Sequence, residues 1–79
     1  MGHDVFFHEG AFGAYCYFHE EPAGWVGWVL FVRAADEPNG EGPGYRRLIP
    51  GGPFSSRDDA LEAALPFVQR AVKDGSTGL

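Results

Sequence analysis

The chain has 79 residues, of which 44% are hydrophobic and 15% aromatic, and its six basic and eleven acidic side chains leave a formal net charge of −5. That length makes one domain with a modest core, and the apolar content excludes a disordered chain, which stays unfolded for want of apolar surface to bury. The acidic balance works against phosphate-rich partners such as nucleic acid or an anionic membrane.

One cysteine, Cys16, allows no internal disulfide and fits a reducing cytoplasm. The first ten residues, MGHDVFFHEG, have neither the basic flank nor the long apolar stretch of a secretory leader. No apolar run approaches the ~20 residues of a membrane span. The expectation is a single cytoplasmic domain over residues 1–79.

Residues 1–10 contain the apolar patch Val5-Phe6-Phe7, which predicts either an edge strand or an N-terminal arm lying on a sheet. Residues 11–19, AFGAYCYFH, alternate as a strand does, with Phe12, Ala14, Cys16 and Phe18 on one face and Tyr15 and Tyr17 on the other. Glu20-Glu21-Pro22-Ala23-Gly24 then supplies the proline and glycine of a short hairpin connection. Residues 24–34, GWVGWVLFVRA, are the longest apolar run and predict a central strand paired antiparallel to the one before. Alternation puts Val26, Trp28, Leu30 and Val32 on one side and Trp25, Val29 and Phe31 on the other, so both faces are apolar and both need cover.

Residues 35–44, ADEPNGEGPG, have no hydrophobic period and read as a mobile acidic loop. Tyr45-Arg46-Arg47-Leu48-Ile49 predicts a third strand, ended by Pro50-Gly51-Gly52-Pro53. Ser56-Arg57-Asp58-Asp59 is a capping box that opens a helix over residues 56–74: the serine hydroxyl accepts from the Asp59 amide, and the Asp59 carboxylate accepts from the amide of Ser56. Ala60, Leu61, Ala64, Leu65, Phe67, Val68, Ala71 and Val72 fall on one stripe of that helix. Pro66 sits at the centre of the polar face, where it predicts a bend, and Gly75 ends the helix ahead of a frayed tail over residues 75–79.

The chemistry-bearing residues form no recognisable catalytic set. Cys16 and His19 have the C-x-x-H spacing of a metal ligand pair, with His8 as a third ligand, but zinc sites ordinarily present two paired motifs, so no metal or other cofactor is expected. Ser55 and Ser56 are explained by the helix start, and nothing marks Cys16 as an activated thiol, so no enzyme activity is expected. GEGPG and PGGP lack the lysine of a phosphate-binding loop and read as turns. Arg33, Arg46 and Arg47 are basic residues on predicted strands that, with exposed rings, would serve a single-stranded nucleic-acid site; three arginines against eleven acidic groups make a poor one.

The strand pair, the third strand and Phe54-Ser55-Ser56-Arg57-Asp58-Asp59-Ala60 leading into an alanine-rich helix resemble small bacterial β-β-β-α proteins of unknown function over most of the chain. The resemblance implies a sheet-plus-helix fold and no functional residues. The sheet and final helix also look similar to double-stranded-RNA-binding domains, which would add a first helix and lysines where Ser56-Arg57-Asp58-Asp59 is acidic. HicB-type antitoxin domains are similar too, and would add a strand after the helix.

The expected fold is therefore α+β: a three-stranded, mainly antiparallel sheet, four-stranded if the N-terminal patch joins it, packed on one C-terminal helix. One helix covers one face. The other face predicts a non-enzymatic interaction or regulatory protein that forms a homodimer or binds a protein partner, with Tyr15, Tyr17, Trp25, Trp28 and Phe31 as candidate interface residues. The competing expectation is that the N-terminal arm and the acidic loop fold over that face.

Overall fold

A two-residue turn at Pro22 and Ala23 organises the sheet in the computed structural model, which describes residues 4–34 and 44–78. So tight a turn sets β2 (Phe12–Glu21) and β3 (Gly24–Arg33) antiparallel in register over their whole length, from Glu21 opposite Gly24 to Phe12 opposite Arg33. β1 (Val5–Glu9) folds back along β2 through Gly10 and Ala11, with Gly10 at φ 58°, a left-handed conformation that glycine adopts without steric cost. β4 (Gly44–Leu48) lies along the other edge of β3. The result is a four-stranded antiparallel sheet in the order β1-β2-β3-β4, followed by one helix, α1 (Arg57–Asp74).

The N-terminal patch is thus an edge strand within the sheet and not an arm across it. Asp4 extends the β1–β2 ladder by one side chain: its amide donates to Cys16 O at 2.8 Å, and its Oδ2 accepts from the Phe18 amide at 2.8 Å. Arg57, at the start of α1, reaches Asp4 Oδ1 at 3.4 Å while its guanidinium lies 5.4 Å from the Phe18 ring centre. The helix start is thereby tied to the edge strand. Residues 35–43 of the expected acidic loop lie outside the described residues.

After β4 the chain keeps to the edge of β3 with one excursion. Ile49 N donates to Gly27 O at 2.9 Å, residues 50–53 loop away, and Phe54 returns to exchange two hydrogen bonds with Trp25, at 2.7 and 2.8 Å. Gly24 makes that return possible, because a Cβ there would lie 2.7 Å from Phe54 O and the backbone has φ 136°.

Ser56 caps α1, its Oγ accepting from the Asp59 amide at 3.1 Å. The Asp59 carboxylate does not follow the expected reciprocal pattern; it accepts from the Ser55 hydroxyl at 3.1 Å, so both serines serve the helix start. The helix runs unbroken through Pro66, whose ring is exposed on the outer side. Gly75 ends it at φ 74°, and Ser76 N and Gly75 N donate back to Ala71 O and Val72 O, the paired closure of a left-handed helix end.

Packing follows the small residues. Ala60, Ala64, Val68 and Ala71 are buried on α1 at successive spacings of four, four and three, and they meet Ala14, Cys16, Phe18, Val29 and Phe31 from the central strands. Alanines at the contact let the helix lie close to the sheet, while Leu61, Phe67 and Val72 flank it partly buried. Leu65, expected on the buried stripe, is 38% exposed at its margin. The tail also departs from expectation: Thr77 is 1% exposed, the Arg47 guanidinium donates to Ser76 O, and Gly78 lies against the Tyr45 ring. Residues 76–78 are therefore docked on β4 and not frayed.

Candidate interaction face

The hairpin register decides which side chains share a face. Each pair across β2 and β3 joins an odd position to an even one, such as Tyr15 to Leu30, Tyr17 to Trp28 and His19 to Val26. Consequently Tyr15, Tyr17 and His19 point to the same side as Val26, Trp28, Leu30 and Val32. β1 adds Phe6 and His8 to that side, and β4 adds Arg46 and Leu48. Helix α1 packs on the opposite side, so among the described residues no element lies over this one.

Of the five candidate interface residues, three come together on the open face: Tyr15, Tyr17 and Trp28, each partly buried by its neighbours. Phe31 does not join them. It is 0% exposed beneath α1, 6.1 Å from the Phe67 ring, and is a core residue. Trp25 also lies on the helix side, partly buried against the core and held by the Phe54 bridge. The open face gains residues not among the five, Phe6, Leu30 and Leu48. The hairpin is the signal that finds Leu30, because taking Pro22-Ala23 as the two-residue loop sets it opposite Tyr15, whereas Phe6 and Leu48 follow only once β1 and β4 pair with the hairpin.

The face is mostly aromatic and aliphatic. The Phe6 and Tyr15 rings lie 4.7 Å apart, tilted by 45°, and Phe6 is 5.4 Å from the His8 ring. Leu48 is 50% exposed. Charged groups are few: Arg46 on β4, and Glu21 at the turn end of β2, paired with His19 Nε2 at 3.0 Å. Most acids on described elements sit elsewhere, with Asp58, Asp59, Glu62 and Asp74 exposed on α1.

Two hollows open beside these residues. One, of about 260 Å³, is lined by Tyr17, His19, Trp28 and Arg46. The other, of about 170 Å³, lies between Val26, Leu48, Ile49 and the Pro50-Gly51-Gly52-Pro53 excursion.

The three strand arginines are not brought together. Arg46 shares the open face, whereas alternation sends Arg33 and Arg47 to the helix side, where Arg47 holds the tail. Cys16 and His19 likewise fall on opposite faces, three residues apart along one strand, so they make no common ligand pair. No cluster of three or more candidate metal ligands occurs among the described residues. The Cys16 thiol is 0% exposed, and burial, assisted by the nearby Asp4 carboxylate, pushes its pKa up to about 12. A thiol so placed stays protonated and makes a poor nucleophile.

These features define a class: a small α+β domain with a helix on one face of an antiparallel sheet and an aromatic surface on the other. No helix among the described residues is long and apolar enough to cross a membrane. No family model, curated protein or solved structure matches the chain.

Proposed function

We propose that the protein is a small cytoplasmic, non-enzymatic interaction protein that forms a homodimer by stacking the open faces of two sheets. The single observation that carries this reading is the gathering of Phe6, Tyr15, Tyr17, Trp28, Leu30 and Leu48 on a side that no described element covers. A contiguous aromatic patch of this kind is costly to leave in water, and tyrosine and tryptophan are frequent interface anchors.

Area and charge both favour a second copy. Two ten-residue strands flanked by two five-residue strands present ~500 Å² of flat face, from ~3.3 Å per residue and ~4.8 Å per strand. A pair would bury ~1,000 Å², the lower limit for a specific interface, so the dimer is one of modest affinity that dissociates on dilution. Stacking these faces keeps the acidic outer sides of the two helices farthest apart, which limits repulsion between chains that each carry −5. The sheet edges are weaker candidates: β1 and β4 are five residues each, and β4 presents Arg46 and Arg47, which oppose edge-to-edge pairing.

The absence of catalysis in this reading rests on groups already occupied: Ser55 and Ser56 serve the helix start, and Cys16 is sealed beneath α1. The cytoplasmic placement rests on the single, buried thiol. The test is a pair of charge insertions, Leu30→Asp and Leu48→Asp, followed by light-scattering mass and circular dichroism. The reading expects folded monomers from both variants and a heavier species from the parent. A parent that elutes with the mass of its variants at every concentration overturns it.

A further inference from the structure

We infer that the hollow formed by Tyr17, His19, Trp28 and Arg46 is a binding site for a small planar aromatic carboxylate. Trp28 is its centre: Tyr17 stands directly opposite on β2, while His19 and Arg46 occupy the two diagonal positions, on β2 and β4. Directly opposed side chains on a sheet are ~5 Å apart at Cβ and diagonal ones ~7–8 Å, so Tyr17, His19 and Arg46 all stand within reach of the Trp28 ring, around a half-open hollow. The hollow measures about 260 Å³. Sites for drug-sized ligands run from ~300 Å³ upward, so this one has room for a single ring system with a short acidic arm.

Two of the polar groups lining the hollow are uncommitted among the described residues. Neither Arg46 nor the Tyr17 hydroxyl has a hydrogen-bond or ion-pair partner among the described residues. Arg46 is the one strand arginine on this face, since alternation puts Arg33 and Arg47 on the helix side. His19 Nε2 is engaged by Glu21 Oε2 at 3.0 Å, which places a carboxylate at the β2 end of the hollow. The ligand therefore has one allowed orientation. Its flat ring lies on Trp28 and Tyr17, and its carboxylate points across β3 to the Arg46 guanidinium, away from Glu21.

The site shares Tyr17 and Trp28 with the proposed dimer face, and in that respect it rests on the dimer reading: ligand and second copy compete for the same rings. Calorimetric titration of the full chain with indole-3-acetate and with the neutral indole-3-acetamide tests the site, with mass measured in parallel. The acid should bind roughly tenfold or more tightly than the amide, the scale of one charge-assisted bond. Arg46→Gln should remove that difference and leave amide binding intact, Arg46→Lys should restore part of it, and Trp28→Leu should weaken both ligands. Saturating acid should also shift the parent toward the monomer mass. Equal affinity for acid and amide, or an acid affinity untouched by Arg46→Gln, overturns the site. A dimer that forms but takes up no acid removes the site and leaves the dimer reading standing; acid binding to a chain that is monomeric throughout does the reverse.

Discussion

Phe31→Ala is expected to cost far more than Leu30→Ala, although the two residues are neighbours in the chain. Phe31 is the largest of the fully buried side chains, packed between Val29, the Phe67 ring and the alanines of α1. Truncating a buried phenylalanine costs about 3–5 kcal/mol, through lost transfer energy and the cavity left behind. A chain of this length is stabilised by ~4–12 kcal/mol in all, so the variant is marginal or unfolded. Leu30 points to the open face and is only partly buried, so its truncation should cost the isolated chain about 1 kcal/mol. Urea unfolding followed by circular dichroism reads the difference. With a slope of ~1 kcal/mol per molar, Phe31→Ala should lower the midpoint by ~3 M or more, against ~1 M for Leu30→Ala. Working at low protein concentration keeps any dimer contribution out of the comparison. Equal midpoint losses, or a greater loss for Leu30→Ala, would mean that the helix covers the other side of the sheet.

Further outcomes follow from single contacts. Ser56→Ala should cost about 1 kcal/mol in the same unfolding assay by removing the helix cap, while Ser56→Asp retains most of it. Gly24→Ala should lose about 1–3 kcal/mol, because the new Cβ would strain the backbone and press on Phe54 O where that residue bridges to Trp25. Cys16 should resist thiol reagents in the folded state and react at once in urea. Its folded pKa is raised, so the native state holds the proton more tightly than the unfolded chain. This contribution to stability is complete below the ordinary thiol value of 9.0 and is lost as pH rises from there toward about 12. A Cys16→Ala variant should show less alkaline destabilisation over that window.

Much of the fold was legible because local signals agreed. Pro22-Ala23 between two alternating apolar runs marks a hairpin, and Ser56 with Asp59, followed by Ala60, Ala64, Val68 and Ala71, marks a capped helix with one apolar face. What lay hidden depends on pairing partners far apart in the chain. Val5-Phe6-Phe7 is too short to declare itself a strand until Cys16 and its neighbours pair with it. The polar tail becomes ordered because Arg47 and Tyr45 meet it across 29 residues or more of chain. Trp25 and Trp28 are alike in composition and differ in face, and that distinction needs the alternation of β3 together with the side that α1 selects. Tyr15 and Tyr17 then follow Trp28, since register carries the choice from strand to strand.

Sedimentation equilibrium of the parent chain across a concentration series decides most directly whether the open sheet face is a contact between two copies. A mass rising toward twice the 8.6 kDa of one chain, and returning to one chain on dilution, is the predicted result. A folded species holding the mass of a single chain at the highest concentrations would contradict it.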